Sequence, residues 1–272
     1  MPELPEVEIA RRNLDRWAGG RRVLRVEAPA SRIFGATRPA IFAERLAGAT
    51  YRDSERRGKN LVARLTRSRE EIALRVHLGM TGKLLRRSPK DEAPRFSRAT
   101  LFLSGGVAVH YSDVRFFGQL EAGPWKALRD ATFAGLGPDP IEDAFDGAIL
   151  EKRLAGTKAP VKVALLDQAR VAGVGNIHAS ESLWRARILP FRPANALSAA
   201  EYRLLAKSIL ASFRHTLDEE DSDEIVYVEE SGAANPFRLY DREGESCPRC
   251  RHRIARVVQA SRSTFYCKGC QR

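Results

Sequence analysis

The chain has 272 residues, 46 Lys plus Arg against 34 Asp plus Glu, and a formal charge of +12 at neutral pH. Its 43% hydrophobic content excludes wholesale disorder, and its apolar runs are far shorter than the ~20 residues that a membrane span needs. Charges throughout residues 1 to 20 stand where a signal peptide needs an apolar core, so a soluble, cytoplasmic protein with no membrane partner is expected.

The length predicts about two domains, with ample chain for a buried core. Of the 46 basic residues 37 are Arg, whose planar fork suits phosphate better than a point ammonium does. Residues 247 to 272 hold seven Arg or Lys and no acid, whereas residues 217 to 230 hold eight acids and no Arg or Lys. A located anion-binding face follows, with nucleic acid as the expected partner. A high-GC genome that favours arginine is the bland alternative.

The first predicted helix opens at Pro5 and runs through Val7, Ile9, Leu14 and Trp17 to Gly19 and Gly20. From Arg22 to about Ala122 the texture is of short strands with turns between them. Residues 60–66, 72–78, 100–103 and 107–111 are the clearest, with a hairpin signal at Ser104-Gly105-Gly106. Many short strands at this spacing favour a β-sandwich or barrel. Gly135-Leu136-Gly137-Pro138-Asp139-Pro140 reads as a linker. Helical periods follow over 146–154, 160–169, 177–186 and 198–217, with Ser198 and Glu201 spaced as a capping box. The predicted class is α+β with two main domains: residues 1–133, a linker over 134–140, a helical domain over 141–246, and a ribbon over 247–272.

All four cysteines lie in that ribbon, as Cys247-Pro-Arg-Cys250 and Cys267-Lys-Gly-Cys270. Two knuckles in tandem present the four thiolates that tetrahedral zinc takes, so one structural Zn2+ is expected. Two disulfides are the alternative, disfavoured in a cytosolic chain. The stretch between the knuckles fits a β-hairpin with Arg262 near its tip. A unit this small cannot bury a core of its own, so metal binding and folding are expected to be coupled.

Removal of Met1 would present Pro2 as a secondary amine. An α-amino group titrates near ~7.7–8.0, against ~10.4 for lysine, so much more of it is nucleophilic at neutral pH. Glu3 beside it is a candidate general acid or base. By itself this pair also fits a frayed terminus leading into a helix.

The opening MPELPEVE, ERRGKNL around Lys59, HLGMTG at 77–82, DVRFFG at 113–118, LGPDP at 136–140, GVGNIHASESLW at 173–184 and the ribbon with SRSTFYC resemble the formamidopyrimidine-DNA glycosylase family, Fpg/Nei, and its Fpg branch in particular. The resemblance runs through the whole chain in order. It implies a bifunctional base-excision enzyme, a DNA glycosylase and abasic-site lyase that removes oxidised purines and cleaves the strand by β,δ-elimination. The implied fold is an N-terminal β-sandwich, a helical domain with a helix-two-turns-helix motif and a zinc hairpin. The implied partner is double-stranded DNA with a damaged base or abasic site, bound by a monomer in the cleft between the halves, with the base extruded from the stack.

Residue by residue, the resemblance makes Pro2 the nucleophile at C1′ and Glu3 the acid that protonates the sugar ring oxygen. Lys59 matches a lysine implicated in base release and phosphate contact. Lys162, Asn176 and Arg262 match phosphate-binding residues, with Asn176 also read as the cap of a helix starting at Ile177. Met80, Arg115 and Phe117 match the side chains that fill the hole left by the flipped nucleotide, with Arg115 facing the orphaned base. Tyr240 and Arg242 resemble a V-Y-G-R segment with Asp241 in place of Gly.

Two departures stand out. The usual DPRRFG reads DVRFFG, where Phe116 either strengthens intercalation or packs into its domain. Between Leu217 and Tyr240 a Gly- and Thr-rich loop that closes over 8-oxoguanine is replaced by a shorter acidic stretch, whose charge would repel phosphate unless it points away. A Nei-like preference for oxidised pyrimidines, or a non-catalytic damage-binding scaffold, are the competing functions.

Overall fold

The computed structural model describes residues 2–35, 37–219 and 222–272, so removal of Met1 lies outside the described residues. The chain forms two compact units, one of residues 1–134 with 220–230 and one of residues 135–219 with 231–272.

The first unit opens with α1 (Leu4–Ala18) and β1 (Val23–Glu27), followed by α2 (Pro39–Leu46). The strands β2 (Thr50–Arg57), β3 (Asn60–Arg67), β4 (Glu70–His77), β5 (Lys83–Arg87), β6 (Ser97–Leu103), β7 (Val107–Ser112) and β8 (Gln119–Pro124) come next, and α3 (Trp125–Phe133) closes it. The strands make two antiparallel sheets, ordered β1-β6-β7-β5 and β2-β3-β4-β8. This is the expected sandwich, with α1 against strands of both sheets. Leu4, Val7, Leu14 and Trp17 of α1 join Phe42, Leu61, Leu65, Ile72 and Tyr111 in its core. Each such side chain contributes about 1.5–3 kcal/mol by burial. The sequence reading lacked α2 because a two-turn helix with a buried Phe42 and Leu46 is too short to display a period among strand-like runs.

The second unit contains α4 (Gly147–Leu154), α5 (Val161–Leu165), α6 (Asn176–Arg185) and α7 (Ala199–Glu219), then the hairpin β9 (Ile254–Gln259) and β10 (Arg262–Cys267). The capping box is present: Ser198 N donates to Glu201 Oε2 at 2.8 Å, and Glu201 N to Ser198 Oγ at 3.3 Å. The helix expected over 160–169 stops at Leu165, because Gln168 bonds the carbonyls of Leu166 and Val174 at 3.0 and 2.9 Å and Asp167 accepts from Ala169 N at 3.0 Å. Side chains that bond neighbouring backbone in this way compete with the helical ladder.

The segment read as a linker is a built turn of this unit. Residues 137–140 are buried, Gly137 N donates to Gln168 O at 2.8 Å, and Ala172 N donates to Pro138 O at 3.0 Å. A Cβ on Gly137 would lie 2.6 Å from the Arg170 carbonyl, so only glycine fits. Among the described residues no helix is long and apolar enough to cross a membrane.

Candidate active centre and nucleic-acid interface

Pro2 is buried immediately ahead of α1. Glu3 caps that helix in extended conformation. Its backbone N–H donates to Glu6 Oε2 at 2.8 Å while its carboxylate accepts from the Glu6 N–H. The pair thus occupies two of the helix's otherwise unmet donors. Both carboxyls are withdrawn from water, and burial, followed by the charge of Glu3, pushes Glu6 up to about 7. A group poised near neutral pH beside a nucleophile candidate is suited to proton transfer.

Glu8, one turn on, accepts from Arg11 at 2.8 and 2.9 Å, from Arg12 at 2.9 Å and from Arg56 at 3.1 Å. Burial alone would raise its pKa, but Arg11, then Arg56 and Arg12, outweigh it and hold Glu8 at about 2. Arg56 also reaches the Gly58 carbonyl at 3.4 Å. It therefore joins α1 to the β2–β3 turn that carries Lys59. His77, opposite Asn60 in the β3–β4 register, faces the same turn. Its burial, with the charges of Arg75 and Lys59, lowers it to about 4, so it is neutral and accepts from Gly79 N at 3.1 Å.

The HLGMTG and DVRFFG segments are packed backbone against backbone. Gly79 has φ +64°, and a Cβ there would lie 2.4–2.5 Å from Phe117 and Gly118 backbone. Asp113, wholly buried, accepts from Thr81 Oγ1 at 2.5 Å, Arg115 N at 3.1 Å and Gly118 N at 2.9 Å. One carboxylate thereby shapes the loop. Phe117 is 46% exposed and lies under the Arg115 guanidinium at 4.9 Å, so it is not a core side chain; Met80 is half-buried. Phe116 packs rather than projects: the Arg98 guanidinium stacks on its ring at 3.7 Å, and its φ of +59° turns the chain.

In the second unit Lys162 is 1% exposed and donates to Asn176 Oδ1 at 2.6 Å, Ser263 O at 3.0 Å and Thr264 Oγ1 at 2.7 Å. An ammonium has three donors, and all three are spent on protein acceptors. Lys162, expected among the phosphate-binding residues, is a buried strut between α5, α6 and β10. Asn176 is not a cap. It is the first residue of α6, with Gly175 at the cap position, because its Oδ1 is held by Lys162. With Oδ1 so fixed, its amide donors face away from the lysine. Arg262 is exposed beside the tight turn Ala260-Ser261, whose φ values of +48° and +60° match a two-residue hairpin loop.

Tyr240 is half-buried, edge-on to Phe265 at 5.2 Å, with its N–H on Glu181 Oε1 at 2.9 Å. Asp241 takes φ +60° where the resembling segment has Gly, a conformation that Asp tolerates better than most side chains.

The four cysteine sulfurs lie within 4.8 Å of one another, with Cys250–Cys267 at 3.3 Å and Cys247–Cys270 at 3.9 Å. A disulfide needs ~2.05 Å, whereas four sulfurs at ~2.3 Å from one zinc stand about 3.8 Å apart. The set fits one structural zinc and excludes the disulfide alternative. Gly269 is required there, since a Cβ would lie 2.5 Å from the His252 ring.

Arg56, Asp113 and Gln168 were absent from the sequence-derived site. Asp113 and Arg56 lie inside the DVRFFG and ERRGKNL motifs, but partners such as Thr81 and Glu8 are distant in sequence.

These features agree with known proteins. Residues 1–120 match the formamidopyrimidine-DNA glycosylase N-terminal domain, residues 136–225 the helix-two-turns-helix domain of the same proteins, and residues 244–272 the zinc finger found in Fpg and isoleucyl-tRNA synthetase. The chain belongs to the formamidopyrimidine-DNA glycosylase family. It is 39% identical to the formamidopyrimidine-DNA glycosylase of Phenylobacterium zucineum over 300 aligned residues, and 39% identical to that of Geobacillus kaustophilus over 278, all of each chain being covered. It superposes with a TM-score of 0.88 and 29% identity, over 100% of both chains, on a Lactococcus lactis Fpg mutant in complex with DNA containing a Fapy-dG. The same score and identity, over 99% of each chain, hold for Lactococcus lactis Fpg with an abasic site containing DNA.

Proposed function

We propose that Pro2 is the nucleophile of a base-excision DNA glycosylase and abasic-site lyase that acts, as a monomer in the bacterial cytoplasm, on double-stranded DNA carrying oxidised purines. The observation that carries this reading is the start of α1, where the reciprocal Glu3–Glu6 pair buries two carboxyls beside Pro2. In it the Pro2 nitrogen bonds to C1′ of the extruded nucleotide as the bond from C1′ to the base breaks. Glu3 protonates the sugar ring oxygen, which lets the ring open to a Schiff base, and β,δ-elimination then severs the strand. Lys59 assists base release. Met80, Arg115 and Phe117 occupy the vacated stack, with Arg115 toward cytosine. The Asn176 amide and Arg262 take phosphates, with Lys162 and Tyr240 supporting them from within. Formamidopyrimidines are the first substrates expected, and 8-oxoguanine the second.

Borohydride trapping on duplexes with formamidopyrimidine, 8-oxoguanine or an abasic site tests the reading. Covalent adducts on the first and third, lost in Pro2→Gly while DNA binding persists, are the expected result. Adducts on the abasic duplex alone redirect the search to oxidised pyrimidines. The absence of any adduct leaves a damage-binding scaffold.

A further inference from the structure

Residues 222–230 are paired with other residues of the β-sandwich unit. Asp223 meets Arg16, Glu224 meets Arg87 at 2.9 Å, Glu230 meets Lys83 at 2.7 Å, and Asn13 Nδ2 donates to Ser222 O at 3.0 Å. Exposed ion pairs of this kind are individually weak and are screened by salt. The specific element is Tyr227, which is buried and donates its hydroxyl to Gly82 O at 2.6 Å across 145 positions of sequence. Glu230 closes a ring around it. Its Oε1 accepts from Tyr227 N at 2.7 Å and its Oε2 from Lys83 Nζ at 2.8 Å, while Lys83 Nζ lies 5.2 Å from the Tyr227 ring.

Gly82 ends the turn that carries Met80, closed by Gly82 N to Leu78 O at 2.9 Å. A Cβ on Gly82 would lie 2.4 Å from both Leu78 O and the Tyr111 hydroxyl, so the turn has one tightly enclosed path. We propose that Tyr227 is a positioning residue for Met80: its hydroxyl, backed by the Glu230–Lys83 pair, holds the Gly82 carbonyl and so sets how Met80 is presented to the duplex. Asp223, Glu224 and Glu230 then serve to seat this strap, their charge being met by Arg16, Arg87 and Lys83. The inference rests on the reading of Met80 as a plug of the emptied stack.

Tyr227→Phe removes one O–H and keeps the ring, its packing and its cation contact. Single-turnover excision of a formamidopyrimidine is expected to slow about five- to tenfold. Met80→Ala should show the same loss of excision, and the double variant should lose no more than the greater single. A fluorescent 2-aminopurine beside the lesion reports the loss of stacking directly, and its burst should shrink in both variants. Wild-type excision by Tyr227→Phe, a full burst in that variant, or additive losses in the double variant would overturn the inference alone. A Met80→Ala protein with full excision and a full burst would instead overturn the plug assignment and, with it, this inference.

Discussion

Arg56 reaches Glu8 at 3.1 Å with its side chain wholly withdrawn from solvent, and the same guanidinium touches the carbonyl beside Lys59. The helix that follows Pro2 and the turn that bears Lys59 are thus held by one buried cation. Breaking such a pair from one side leaves an uncompensated charge, which costs about 3–5 kcal/mol. Glu8→Gln, which takes the carboxylate from the buried Arg56, is expected to destabilise the protein by that amount in denaturant titration, and Arg56→Met less, since Glu8 keeps Arg11 and Arg12. Because the folded state holds Glu8 at about 2 against an ordinary 4.5, its stabilisation is present above pH 4.5 and is lost as pH falls toward 2.

His77 works over a higher window. Its folded value of about 4 lies below the ordinary 6.5, so the unfolded chain takes up the proton first. Stability should therefore fall as pH drops from 6.5 to about 4, by roughly 3 kcal/mol in total. His77→Gln should flatten that part of the stability curve in thermal melts; an unchanged slope would locate the titration elsewhere.

Glu6 has the opposite sign. Its carboxyl is raised to about 7 by burial and by Glu3, so its ionisation opposes folding, and stability should decline as pH rises from 4.5 through about 7. In single-turnover excision Glu6→Gln is expected to remove an inflection near that pH. A wild-type profile in the variant would separate Glu6 from the chemistry.

Cys267→Ser should release the zinc, read by metal analysis of the purified protein. The effect should spread, because Lys162 is bonded to Ser263 and Thr264 of β10 as well as to Asn176. DNA affinity is expected to fall and its salt dependence to flatten as phosphate contacts are lost. Lys162→Met should reproduce the loss of affinity with zinc retained. An unaltered affinity in that variant would remove Lys162 as the strut.

Much of the fold was legible because its signals are local. Alternation and turn residues announced β3, β4, β6 and β7, and helical periods and caps announced α1, α4, α6 and α7. The short α2 and the early end of α5 were hidden, since one depends on burial against strands and the other on the side chain of Gln168. The zinc ligands were equally plain, two tight knuckles needing only their spacing to be seen.

The sequence by itself determined the family, the zinc set and the candidates at Pro2, Glu3 and Lys59, because each lies in a contiguous motif whose chemistry is carried by residue type and spacing. Only the tertiary structure decided which way those residues face. It turned Lys162 inward, made Asn176 the first residue of α6 instead of its cap, laid Phe116 under Arg98 and met Asp223, Glu224 and Glu230 with Arg16, Arg87 and Lys83. Each of these outcomes is a pairing between groups far apart in the chain, and the energy of a buried ammonium or carboxylate depends on which distant acceptor or cation the fold brings to it.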